Sequence, residues 1–468
     1  MTPQVQLERP AGFWSAIREA IAGTHQDYTS GRIDRAIALL AIPMVLEMLM
    51  ESLFGLVDVF WVAHLGADAV ATVGYTETCL TILFAIAIGL STGATATVAR
   101  RIGEKDPRAA SIAAAQAILV AVGLSTVIAV TGYLYAPALL RIMGASDRVV
   151  AIGTTYTRTM LGGSATVFLL FLINAVFRGA GDAAMAMRVL WIANAVNICL
   201  NPLLIFGIGP FPRLGLAGSA TGTTIGRGIG VLLQLWALFS GRGRITVRSL
   251  RPDFEVMWRL VRISLGGTFQ YLIQTASWVG IIRIVAVFGS AAVAATTVAI
   301  KIIVFALLPS WGMSNAASTL VGQNLGAGQP ERAEKSVWRT AMYNMLFLAS
   351  VGAIFICFAE PIVRVFTSEA SVVPIAVECL RFLSYGYISY AYGMVVTAAF
   401  NGAGDTVTPT IINMFGFWLC EIPLAWWLAF PAGMQVRGVF TAIPIAELLI
   451  TATGLTVFLR GRWKTSKI

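Results

Sequence analysis

The sequence predicts an all-α polytopic membrane protein, with about twelve transmembrane helices in two six-helix lobes related by a tandem, parallel repeat. Three observations predict it. The first is composition: 57% of residues are hydrophobic and 12% charged. Apolar runs of roughly 18 or more residues, enough to cross a hydrocarbon core about 30 Å thick, recur from end to end, as at 113–135, 342–359 and 440–459. They lack the strict alternation of barrel strands, so they read as helices. The second is charge placement. Of the 33 Lys and Arg, 23 fall at the N-terminus and on every second connection, and five on the opposite side. By the positive-inside rule the first side, with both termini, is cytoplasmic, and the protein belongs in the cytoplasmic (inner) membrane. The third is self-similarity at a constant offset of 223 residues: FRGAGD (177–182) matches FNGAGD (400–405), and GLSTGATATVARRIG matches GMSNAASTLVGQNLG. An even number of spans per unit returns the chain to its starting side, so the halves share one orientation and face each other across a cleft.

The elements follow in order. Residues 1–32 form a cytoplasmic tail with no signal peptide; its FWSAIREAI stretch suits either a short interfacial helix or a disordered tail. His25 lies in this tail. The N-lobe spans 33–239. Its first span holds Glu47, Glu51 and Asp58, whose steps of four and seven residues place them on one helix face. Ionisable groups at membrane depth call for a functional reading. Pro43 bends this helix near its cytoplasmic end, and His64 marks its far end. Glu77 lies in the second span. The glycine-rich FRGAGD loop lacks the Lys-Ser/Thr of a nucleotide cradle and sits between the fourth and fifth spans, so it reads as a helix–helix turn capped by Asp182. The fifth span carries Asn194, Asn197 and Asn201 on one face, and the sixth carries Thr223 and Arg227 one turn apart. These asparagines either ligate a cation or bridge helices; Arg227 suits pairing with a carboxylate.

A basic cytoplasmic linker, 240–255, leads to the C-lobe, 256–460, and a cytoplasmic tail, 461–468. Shifted by 223, Glu47 falls on Gln270, Glu51 on Gln274 and Asp58 on Ile281, so only the N-lobe stripe is acidic. Glu47, Glu51, Gln270, Gln274 and Trp278 are placed in the substrate cleft. Lys301, Glu421 and Glu447 suit a structural ion pair in preference to a second coupling site, Arg158 and Arg381 recur as structural arginines, and Tyr385, Tyr387, Tyr390 and Tyr392 suit either a cleft wall or an interfacial belt. The five cysteines lie in apolar spans without CxxC spacing and read as small hydrophobes.

Duplicated lobes suit alternating access, and no ATPase segment is present, so transport draws on an ion gradient. Two histidines and no paired-aspartate motif argue against an enzyme. The basic surplus is a topology signal, which excludes a nucleic-acid partner; partners are small molecules and membrane lipids, and the chain reads as a monomer. LVDVFWVAHLG, the paired F-x-GAGD loops, NICLNP and LVGQNLGAGQPERA, in order in the two halves, resemble the multidrug and toxic compound extrusion (MATE) transporters over roughly 33–460. The resemblance implies a twelve-helix antiporter without cofactors, exporting cationic, amphipathic compounds against H⁺ or Na⁺. It also implies that Asp58, Asn197, Asn201 and Thr223 form the N-lobe coupling site, a possible Na⁺ site, with Pro43 as the bending proline. Asn201 stands where the family pattern has aspartate, which removes one negative charge and leans towards H⁺; Glu51 is a replacement candidate. The alternative function is a flippase for a lipid-linked oligosaccharide or other lipid precursor.

Overall fold

The computed structural model describes residues 13–23, 26–241 and 243–466. His25, part of the expected tail and the last two residues of the chain lie outside them. Helix α1 (Phe13–Ala22) precedes α2 (Ile33–Ala63), which continues unbroken through Pro43. Two long helices follow, α3 (Ala67–Gly103) and α4 (Pro107–Ile142). Next, α5 (Asp147–Gly162) and α6 (Ser164–Ala180) form one rod interrupted at Gly163, and α7 (Ala183–Phe206) and α8 (Leu216–Ser240) complete the first half. The second half runs α9 (Phe254–Ala286), α10 (Ser290–Gly326), α11 (Pro330–Cys357) with its extension α12 (Ala359–Phe366), and α13 (Val373–Tyr385) with α14 (Tyr387–Gly402). One further rod combines α15 (Val407–Asn413), a π-helical stretch (Met414–Glu421) and α16 (Ile422–Ala429). Helix α17 (Val436–Leu459) and a 3₁₀ turn (Arg462–Thr465) end it.

Against the expected twelve, nine of these stretches among the described residues have both the length and the apolarity to cross a membrane. The α8 and α9 helices and the α13–α14 rod have the length, but more of their positions are glycine, tyrosine, amide or charged. They owe that polarity to interior side chains such as Arg227, Gln270, Gln274 and Tyr390.

The repeat is visible in backbone detail. Helices start at Ala67 and Ser290, and at Pro107 and Pro330, and the rods break at Gly163 and Gly386, each pair 223 apart. The connection before the last helix is longer in the first half (207–215) than in the second (430–435), so α8 and α17 match at 220 instead. Gly215 and Gln435, which share φ near +55° and ψ near −135°, mark that register. The GAGD loops are helix–helix turns, as their sequence suggests. Gly181 and Gly404 take φ of +85° and +83°, a left-handed conformation that residues with a Cβ rarely adopt. Asp182 then accepts from Met185 N, and Asp405 from Thr408 N and Oγ1.

The halves meet at the end that carries the basic connections. A Cβ on Gly103 would lie 2.0 Å from the Gln323 carbonyl oxygen, and one on Gly326 would lie 2.2 Å from that of Arg100. These are pseudo-symmetric copies of one contact between α3 and α10. Gly89 approaches the backbone of Ser264 and Thr268, and its repeat mate Gly312 approaches that of Met44. Gln323 Nε2 donates to Gly179 O at 2.9 Å and Thr319 Oγ1 to Arg178 O at 3.2 Å. Further out, the C-terminal tail is tied to both halves: Lys464 pairs with Glu334 of α11 at 2.5 Å, and Arg100 of α3 donates to the Ser466 carbonyl. The linker is no free tether: Gln116 of α4 holds Arg251 O and Asp253 N, and Ile245 and Val247 are buried in the first half. Helix α1 forms on the FWSAIREAI stretch and ties to α2 through Glu19 and Arg35 at 2.8 Å.

Candidate functional site

Between the halves lies a cavity of about 460 Å³. Its wall combines aromatic and apolar side chains (Phe84, Phe171, Trp311, Phe417) with amides and hydroxyls, and with three charged groups, Glu51, Arg178 and Glu447. This mix suits an amphipathic guest: apolar surface supplies area, and a few polar groups orient it. Gln270 and Gln274 lie in the wall, as does Glu51.

Two residues expected in the cleft are elsewhere. Glu47 is 1% exposed and outside the cavity wall. It accepts from Arg178 Nη1 at 2.6 Å and Asn174 Nδ2 at 3.0 Å, and Gln234 donates to Asn174 Oδ1 at 2.6 Å. Helical spacing put it on the same face as Glu51 but could not tell which neighbour covers it. The covering residue is Arg178, which the charge count assigned to a loop; its guanidinium reaches back from the end of α6 into the bundle. Trp278 packs against the apolar core of the second half, where Val285, Ala295 and Phe440 are buried, and does not reach the cavity.

The remaining N-half residues form a ladder between α2, α7 and α8. Glu51 accepts from Asn194 Nδ2 at 3.0 Å and lies 3.6 Å from Arg227 Nη2. Two turns on, Asp58 Oδ1 accepts from Asn201 Nδ2 at 2.6 Å and Ser219 Oγ at 2.9 Å. Asn197 Nδ2 donates to Thr223 Oγ1 at 2.8 Å, forming a rung of its own. Thus Asp58 hydrogen-bonds Asn201, whereas Asn197 hydrogen-bonds Thr223. Among the described residues, the buried Oδ1 atoms of Asn197 and Asn201 have no hydrogen-bond partner. Gly222 makes the ladder possible, because a Cβ there would sit 2.4 Å from Asn201 Oδ1. Ser219 was not singled out in the sequence; lying four residues, one turn, before Thr223 on the same face, it was findable by the periodicity that picked Thr223 and Arg227.

In the second half, the expected Lys–Glu pair does not form. Glu421 and Glu447 are buried, and among the described residues neither has an ion pair; Lys301 is exposed and acts instead on Glu77 of α3. Arg158 and Arg381 do recur as structural residues, donating Nε to the carbonyls of Tyr133 and Ile356. Glu378 pairs with Arg437 at 2.6 Å. His64 caps the end of α2 with Nδ1 against Phe60 O.

Paired helical halves around an amphipathic cavity, with ionisable residues held inside apolar helices, define an integral membrane transporter and not an enzyme. The chain belongs to the MatE family, whose profile matches residues 43–203 and 268–427. It is 27% identical over 420 residues, 88% of this chain and 90% of the relative, to a "Probable multidrug resistance protein YoeA" of Bacillus subtilis. It is 25% identical to an "FAD transporter" of Shewanella oneidensis, over 90% of this chain and 93% of that protein. Among solved structures it resembles a MATE in complex with MaL6, with TM-score 0.88, 26% identity, and coverage of 94% of this chain and 98% of that one.

Proposed function

We propose that the protein is a proton-driven antiporter of the cytoplasmic membrane, exporting amphipathic organic cations, with both termini in the cytoplasm. The carrying observation is Asp58, a half-buried carboxylate of the first half whose hydrogen bonds among the described residues come from neutral donors, Asn201 and Ser219, with Arg227 acting on it only from further off. With no counter-charge bonded to it, its ionised form is the costly one at membrane depth, which suits reversible protonation. Glu51, by contrast, has Arg227 within 3.6 Å and is held as an ion pair that shapes the cavity wall. The multidrug names of the relatives support the substrate class, and so does the apolar, partly acidic lining. That lining fits an organic cation better than the pyrophosphate of a lipid-linked precursor. The free oxygens of Asn197 and Asn201 are the features a Na⁺ would use beside Asp58; the neutral Asn201 leaves fewer charges there than a metal ion favours.

With the basic end cytoplasmic, the α3–α10 contact closes the cytoplasmic side and the cavity belongs to an outward-facing state. Protonation of Asp58 removes the charge that its two donors hold, loosens α2 against α7 and α8, and lets α2 pivot at Pro43. Substrate efflux from proteoliposomes under separately imposed pH and Na⁺ gradients tests this. The pH gradient alone should drive ethidium efflux, and Asp58→Asn should abolish it. Efflux driven only by Na⁺, or an active Asp58→Asn, refutes the mechanism.

A further inference from the structure

The geometry points to a second proton-exchange site, in the second half of the chain, made of Glu447 at the cavity wall and Glu421 behind it. The pair holds a proton while the cavity is empty and releases it when an organic cation lies against Glu447. This rests on the reading of the cavity as an organic-cation site.

Three observations carry it. First, the backbone is shaped to bury Glu421. The buried residues of its rod are Pro409, Asn413, Phe417, Glu421, Ala425 and Ala429, a strict period of four. An α-helix, at 3.6 residues per turn, would let that row wander by about 40° at each step. The π-helical stretch Met414–Glu421 winds more slowly and keeps the row facing inward, so Glu421 follows Asn413 and Phe417 of the cavity wall into the interior. Second, the carboxylates have room but no counter-charge. Glu421 is 3% exposed, and its buried Oε2 has no hydrogen-bond partner among the described residues. Glu447 is 6% exposed and lies beside Gly393 and Thr451: a Cβ on Gly393 would sit 3.1 Å from Glu447 Oε1 and 2.5 Å from Thr451 Oγ1. The ionisable neighbours are Tyr390 and Tyr387 of α14, Cys420 beside Glu421, and, in the same cavity wall as Glu447, Tyr271 of α9, Glu51 of α2 and Arg178 of α6, the two last already paired within the first half. No Lys, Arg or His acts on either glutamate among the described residues.

Third, the repeat shows what was exchanged. In the first half, Arg178 neutralises Glu47 and Arg227 attends Glu51. At offset 223, Glu47, Glu51 and Arg178 become Gln270, Gln274 and Asn401. At the offset of 220 that governs the last helix, Arg227 becomes Glu447. The second half therefore has neither arginine, and an acid stands at the position of one of them. Two buried carboxylates on packed elements, with no cation paired to either among the described residues, cannot both stay ionised at low cost, and holding a proton resolves it. A ligand ammonium or phosphonium at the cavity wall resolves it equally, which makes the two occupants mutually exclusive.

Isothermal titration of the detergent-purified full chain with tetraphenylphosphonium, in phosphate and Tris at pH 7, counts protons released per cation bound. Glu447→Gln and Glu421→Gln should each lower that count by about one relative to wild type. Glu360→Gln, an exposed carboxylate paired with Arg364 on α12, should leave it unchanged. Wild-type affinity should also rise with pH between 6 and 8, by up to about tenfold per unit, a readout that needs no variant. An undiminished count in the folded variants, or a pH-independent wild-type affinity, overturns this site alone. No tetraphenylphosphonium binding to wild type at all overturns the organic-cation reading, and this site with it.

Discussion

Gly326→Ala tests the closure of the basic end without touching any charged residue. The new Cβ would lie 2.2 Å from the Arg100 carbonyl oxygen and 3.0 Å from Glu104 N. A carbon–oxygen contact needs about 3.3 Å, so α3 and α10 must part by about 1.1 Å there. The obstacle is backbone, and no rotamer change relieves it. Overpacking of this kind costs about 1–3 kcal/mol. Because the strain exists only while the two helices touch, that cost falls on the closed state and shifts the population roughly 5- to 150-fold towards opening. Arg108 and Glu331 are exposed, pseudo-symmetric positions at the starts of α4 and α11. Spin labels on Arg108→Cys and Glu331→Cys, in a background with the native cysteines replaced, report the gap by double electron–electron resonance. The alanine variant should show a longer-distance population that the parent lacks. An unchanged distribution would refute the claim that glycine at this contact holds the end shut.

The remaining expectations concern the buried network and the N-terminal segment. Arg178→Met strands Glu47, whose side chain is 2% exposed, and should cost about 3–5 kcal/mol; adding Glu47→Gln should restore most of it. Thermal unfolding in detergent checks this, and equal midpoints for the single and double variants would count against it. Tyr28 lies on the GAGD turn, donating to Gly181 O at 3.2 Å, and burial pushes its hydroxyl up to about 12. The raised value favours the neutral form in the folded chain, so its stabilisation is full below pH 10 and lost as pH rises towards 12. The unfolding midpoint of wild type should approach that of Tyr28→Phe over this interval; a constant difference would refute it.

The class of fold was legible because hydropathy, charge asymmetry and a repeat each depend on composition along the chain, not on packing. The site was legible where a side chain's role follows from helical face alone. Glu51, Gln270 and Gln274 reach the cavity, and Asp58 meets Asn201, as spacing on two helices allows. Glu47 shows the limit: it shares the face of Glu51, yet one turn towards the basic end the neighbouring α6 covers it with Arg178. The Arg227–Glu447 correspondence was hidden by a connection three residues shorter in the second half, which breaks the 223 register just before the last helix. The π-helical stretch was invisible for a related reason, because apolar residues all around a membrane helix leave no periodicity to betray its pitch.

The Gly163 and Gly386 breaks carry a historical consequence. Each faces the same place on the last helix of its half, Thr224 in one and Pro444 in the other, which correspond at offset 220. A kink that two copies share at one register was in the single unit before it doubled. The arginines at 178 and 227 and the glutamate at 447 have no such twins, so they record divergence after the doubling. The chain thereby dates its own parts: the scaffold is ancestral to both halves, and the charges that make the halves unlike were added later.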